Sequence, residues 1–229
     1  MTRSRTLKGS VVALATVLAV SACSTHPGSA AVVGSDRIST DQVDEVATAL
    51  CAAQGGGGQN GQPPQDLASR AARQGALDVL INSTLSRQFG ESEGVEPDQK
   101  QVSAALAANS ENISGLPEKS RDVFTDTLKG YAEGQLMLIE VGRRALTESG
   151  AKKPTEEQSI SAGTKLRNKW AAKNADISVD PRFGEYANNA LLSKSGSLSV
   201  AASKSAADGG SPDPSAGWVA SLPATQKCG

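Results

Sequence analysis

Seven aromatic side chains in a chain of 229 residues set the strongest limit on what it can fold into. A core with so little Phe, Trp and Tyr has to be filled by Leu, Ile, Val and Ala, and small side chains reach native packing density only where backbones approach closely. Closely packed helices meet that demand, and the spacing of apolar residues points the same way. Helices are expected over 40–53, with Val43, Val46, Ala47 and Leu50 on one face, and over 66–89, with Leu77, Leu80, Ile81, Leu85 and Phe89 in one stripe. A third opens around Pro97 and ends near Asn109, a fourth spans 118–148, and a fifth runs from Thr155 to about Ala175. Ser39 with Gln42 and Thr155 with Gln158 have the capping-box spacing that starts a helix. Gly90 supplies a stop after the second helix. Gly130, Gly134 and Gly142 interrupt the fourth at up to ~1 kcal/mol each against Ala, which marks a bend or a close helix contact. Short strands are expected at Ala31-Val32-Val33, before a turn at Gly34-Ser35-Asp36, and at Ile177 to Val179.

The first 22 residues read differently. Arg3, Arg5 and Lys8 precede an apolar run over 11–20, which is too short for the ~30 Å hydrocarbon core and has the layout of an export signal. Its end, Val20-Ser21-Ala22-Cys23, resembles a bacterial lipobox. The resemblance implies cleavage between Ala22 and Cys23 and diacylation of the Cys23 thiol. Two acyl chains at ~0.8 kcal/mol per buried CH₂ give stable anchoring where one would be marginal. The expected location is therefore the extracytoplasmic face of a membrane, with membrane lipid as the first partner. An ordinary signal peptide, with Cys23 a bystander, is the alternative. Residues 23–30 then form a tether. Removing residues 1–22 takes the formal charge from −1 to −4, which excludes a nucleic-acid partner.

With Cys23 assigned to lipid, Cys51 and Cys228 remain, an even pair in a compartment that permits disulfides. A Cys51–Cys228 bridge is expected, stapling a tail that carries only Trp218, Val219 and Leu222 as apolar anchors; two free thiols are the other reading. Residues 187–229 are expected as a flexible Ser/Gly/Pro-rich tail.

Ala31-Val32-Val33-Gly34-Ser35-Asp36-Arg37-Ile38-Ser39, running into a helix with Val43, resembles the opening of the SurA N-terminal chaperone domain, with Gly34-Ser35 in place of the usual Asn-Gly. Leu77-Asp78-Val79-Leu80-Ile81 resembles that family's second-helix signature, and Pro181-Arg182-Phe183-Gly184 its returning segment. The resemblance covers 31–186. It implies a mainly α domain in which a small two-stranded β element joins the N-terminal strand to 177–179. It also implies a chaperone-like module binding unfolded or exported polypeptides. Relatives of the PrsA type add a parvulin prolyl isomerase domain, but only a linker and one helix fit between Glu148 and Asp176.

No catalytic set is legible. The single histidine, His26, lies in the tether, so neither a Ser-His-Asp nor a Cys-His site can be assembled inside the domain. Cys/His zinc ligands are lacking, and the Gly55-Gly56-Gly57-Gly58 run has no Lys-Ser/Thr after it for phosphate. Glu156-Glu157 sit in a first helical turn, where they favour the dipole as solvated caps. No cofactor or metal is implied. Peptide contact is assigned to Phe89, Tyr131, Met137 and Trp170 as groove candidates. A prolyl isomerase, or an envelope protein with one dedicated partner, is the alternative function.

Overall fold

In a computed structural model of the chain, residues 28–55, 67–192, 202–211 and 214–228 are described. Cys23, Ala22 and His26 lie outside them. The fold is mainly helical, with a small antiparallel sheet that ties early and late parts of the chain together. Strand β1 (Ser29–Val33) turns through Gly34, whose φ of 58° is left-handed and suits glycine, into β2 (Asp36–Ser39). On its other edge β1 takes β3 (Ile177–Val179), with Ala31 opposite Val179 and Val33 opposite Ile177. The expected pairing of N-terminal and 177–179 strands is present, extended by β2 to three strands in the order β2-β1-β3.

Helix α1 (Thr40–Gly55) starts at Ser39, whose Oγ accepts from the Gln42 N–H at 3.0 Å. Helix α2 (Ser69–Ser92) carries the main core: Leu77, Ile81 and Leu85 are fully buried against Val33, Val43 and Val46. Each such side chain contributes about 1.5–3 kcal/mol on burial. The stop expected at Gly90 falls later. Gly94, at φ 65°, takes the left-handed position, while the Val95 N–H donates back to the Gly90 carbonyl at 2.9 Å. Gly90 serves sideways instead, because a Cβ there would lie 2.7 Å from Met137 Cβ.

Asp98 caps α3 (Gln99–Ala108), accepting from the Lys100 N–H at 2.9 Å. A short α4 (Ser110–Gly115), not expected from the sequence, then leads into α5 (Glu118–Glu148). Thr155 and Gln158 form the full capping box of α6 (Glu156–Asn174). α5 and α6 pack antiparallel at backbone contact, with Gly142 against the Ser159 carbonyl and Gly163 against the Leu138 carbonyl. Gly134 lets Ser86 of α2 approach in the same way, whereas Gly130 faces open space.

The region expected as a flexible tail, 187–229, contains structure in its described parts, and a hairpin straddles its start. β4 (Glu185–Ala187) and β5 (Ala190–Leu192) form a hairpin through Asn188 and Asn189, both at positive φ (54° and 63°). This is the left-handed pair that a two-residue hairpin turn demands and that Asn tolerates. Helices α7 (Lys204–Gly210) and α8 (Ala216–Ser221) are capped by Ser203 and Ser215 and joined by a bond from Trp218 Nε1 to the Ser205 carbonyl at 2.9 Å. Val219 is 6% exposed. The tail ends just ahead of α2, where the Cys228 N–H donates to the Leu67 carbonyl at 2.7 Å.

Candidate functional site

A cleft of about 830 Å³ is walled by four separate segments. One wall is the Asp44, Ala47, Thr48 and Cys51 stripe of α1, spaced so that one helical face presents all four. Facing it are Pro117, Lys119 and Ser120 at the start of α5. Ser69 and Arg73 of α2 close one end together with Lys227 and Cys228 of the tail. The floor is made of small groups, Ala47, Ala52 and the disulfide, and no aromatic ring lines it.

Cys51 and Cys228 are joined in the structure, with Cα atoms 5.1 Å apart across a sequence separation of 177 residues. That distance lies inside the ordinary range for a disulfide. The tail thereby becomes part of the cleft wall. Arg73 Nε donates to Asp44 Oδ1 at 2.5 Å across the rim, and its guanidinium lies 5.1 Å from the Phe183 ring centroid. Both partners of that ion pair are close to half exposed, so it contributes at most about 1 kcal/mol.

The four groove candidates are not brought together there. Phe89 and Met137 are 2% and 3% exposed and form one inner cluster with Val95, Leu138 and Val141. Trp170 is half-buried against Phe89, ring centroids 5.8 Å apart. Gly90 is the physical reason, since it lets α5 press Met137 onto α2 and so closes the space a groove would need. Tyr131 alone is exposed, at 45%, and it does not line the cleft. Asp44, Thr48, Arg73, Lys119 and Lys227 were not singled out from the sequence; the one legible hint was the run of small residues on α1.

No protein-family model, no curated protein and no solved structure matches the chain. The chemistry is therefore read from the geometry alone. Arg167 is 6% exposed and donates to Ser86 Oγ at 3.2 Å, and burial pushes its guanidinium pKa down. Burial raises the pKa of Tyr186, whose buried hydroxyl has no hydrogen-bond partner among the described residues. Arg167 is on α6 and Tyr186 on β4, and neither lines the cleft. Among the described residues no three His, Cys, Asp or Glu side chains are placed to hold a metal, and no helix is long and apolar enough to cross a membrane. What the cleft offers is a shallow, small-residue surface with charged rims, suited to backbone and short side chains.

Proposed function

We propose that the chain is a lipid-anchored, extracytoplasmic protein whose domain binds unfolded or exported polypeptides in the cleft between α1, the start of α5 and the tail. The observation that carries this reading is the cleft itself: about 830 Å³, floored by Ala47, Ala52 and the disulfide, with Lys119 and Lys227 on its rim. A surface of this kind holds an extended segment through adaptable contacts. Anchoring rests on the lipobox-like Val20-Ser21-Ala22-Cys23. The pairing of β1 with β3 supports the likeness to SurA N-terminal domains, because that likeness implies a strand from each end of the domain.

The test is suppression of aggregation of a chemically unfolded client by the mature chain carrying Cys23→Ser. Thr48 is exposed on the cleft wall, so Thr48→Trp fills the cleft without entering the core. Suppression by the parent protein and its loss in Thr48→Trp are expected. Equal suppression by both, or none by the parent, would overturn the reading. Anchoring is tested separately in cells: Cys23→Ala should release the protein from the membrane fraction.

A further inference from the structure

We propose that the end of the domain at which the chain enters it docks on anionic phospholipid, with a headgroup phosphate held by Arg70, Arg73 and Arg182. The three arginines converge on a hollow of about 50 Å³, completed by Gln74 and Phe183, with no carboxylate in its lining. Each guanidinium is held in place. Arg182 grips Asp180 through Nη2 at 2.7 Å and Nε at 3.0 Å. Arg73 is fixed by Asp44 and by the Phe183 ring. Arg70 donates through Nη1 to the Gly209 carbonyl at 2.8 Å and makes no ion pair among the described residues. With Asp44 and Asp180 set against Arg73 and Arg182, the charge of Arg70 is left over on a mature chain that is net negative. Planar donor forks fixed in advance suit a phosphate oxyanion.

The position of the hollow selects a membrane as the source of that phosphate. The Asp180 N–H donates to the Ala30 carbonyl at 2.8 Å, which puts Arg182 beside the beginning of β1. The Thr40 N–H donates to the Gly28 carbonyl at 2.9 Å, which puts the first turns of α1, and with them Asp44 and Arg73, at the same end. From Cys23 to Gly28 the chain takes five Cα steps, at most ~18 Å when fully extended. The inference rests on the reading of Cys23 as the anchored residue. A tether that short makes docking intramolecular, with an effective concentration in the mM range. A weak headgroup site is then enough to orient the domain. Arg73 also lines the cleft, so docking would hold the cleft close to the surface where exported chains emerge.

The test uses the mature chain with its disulfide intact, so that Cys23 is the single free thiol, coupled chemically to a maleimide lipid. Trp170→Phe leaves Trp218 as the reporter, and its ring packs on Gly209, which holds Arg70. Quenching of Trp218 by a headgroup-nitroxide lipid should be stronger on phosphatidylcholine vesicles containing phosphatidylglycerol than on phosphatidylcholine alone. Arg70→Ala and Arg182→Ala should each lower the docked fraction relative to the undocked by about fivefold; Arg182 is exposed, so its removal leaves the core untouched. Quenching that ignores phosphatidylglycerol, or that survives Arg182→Ala unchanged, would overturn the proposal. So would binding of inorganic phosphate or of a peptide carboxylate by the uncoupled Cys23→Ser chain without docking of the coupled one, since that assigns the hollow to a soluble anion. Because coupling is chemical, failure here is distinct from failure of lipidation, which the mass of the native N-terminal peptide reads.

Discussion

The contact between α5 and α6 gives a prediction whose sign reverses within one helix. A Cβ on Gly142 would fall on the Ser159 carbonyl oxygen and 2.6 Å from the Gly163 nitrogen. Both are backbone atoms of α6, so no side-chain rotation can clear them. The Ser159 oxygen is the closer of the two, so restoring an ordinary contact of about 3.4 Å means parting the helices by roughly 1.6 Å. A radial gap of 0.5–1 Å forfeits about a quarter to a half of the dispersion attraction across it, and Leu138 and Val141 line that seam. Overpacking ordinarily costs about 1–3 kcal/mol, and a clash with backbone belongs at the top of that range. Gly130 lies on the same helix, twelve residues earlier, and a methyl group added there would meet nothing within 4 Å. Ala there should gain up to ~1 kcal/mol through helix propensity. Urea unfolding followed by far-UV circular dichroism should therefore move the two midpoints in opposite directions, about 4 kcal/mol apart in all. Equal shifts, or a Gly142→Ala protein within about 0.5 kcal/mol of the parent, would refute the close-packed crossing.

Three further outcomes follow from the same structure. Cys228→Ser should remove roughly 5 kcal/mol of stability, the chain-entropy value for a loop of this length; peptide mapping without reduction should find Cys51 joined to Cys228, and two freely alkylated cysteines would contradict it. Arg167 has Ser86 and Asn168 but, among the described residues, no carboxylate as hydrogen-bond partners, so Arg167→Met should unfold at an equal or higher urea midpoint. Ser86→Ala, which leaves the buried cation less satisfied, should cost about 1–3 kcal/mol. Asp180 has its pKa lowered chiefly by the side-chain bonds from Arg182, so its contribution is present above the unfolded value of about 4 and is lost as pH falls through the lower folded value. Arg182→Ala should flatten that part of the acid-unfolding curve, by a small amount because Arg182 is largely exposed.

What could be read in the sequence was what local chemistry decides. The Thr155–Gln158 box, the 118–148 helix and the Leu77, Ile81, Leu85 stripe all declare themselves within a few residues. The pairing of β1 with β3 is long-range, and nothing local to either strand names its partner. Asn188-Asn189 was a local signal, a left-handed turn, that the surrounding Ser/Ala-rich composition concealed. Two of the groove candidates, Phe89 and Met137, are covered for a different reason. A large apolar side chain on a helix carries no mark of which neighbour will cover it, and for Phe89 and Met137 the deciding residue was Gly90, which has no side chain to announce the contact. The cleft was illegible because its walls come from 44–52, 69–73, 115–120 and 227–228.

That dispersion of the walls links the site to the compartment. Two of the four segments, α1 and the tail, are held to each other by the Cys51–Cys228 bond. Beside it, the Cys228 N–H bond to Leu67, the bridge between Ala68 and Lys227 and the buried Val219 also hold the end of the tail. For a loop of this length the bond is worth roughly 5 kcal/mol, so reducing it weakens the hold on the tail by about that much. A chain kept in a reducing compartment would therefore keep its helical core, built on Leu77, Ile81 and Leu85, and hold one wall of the cleft less firmly.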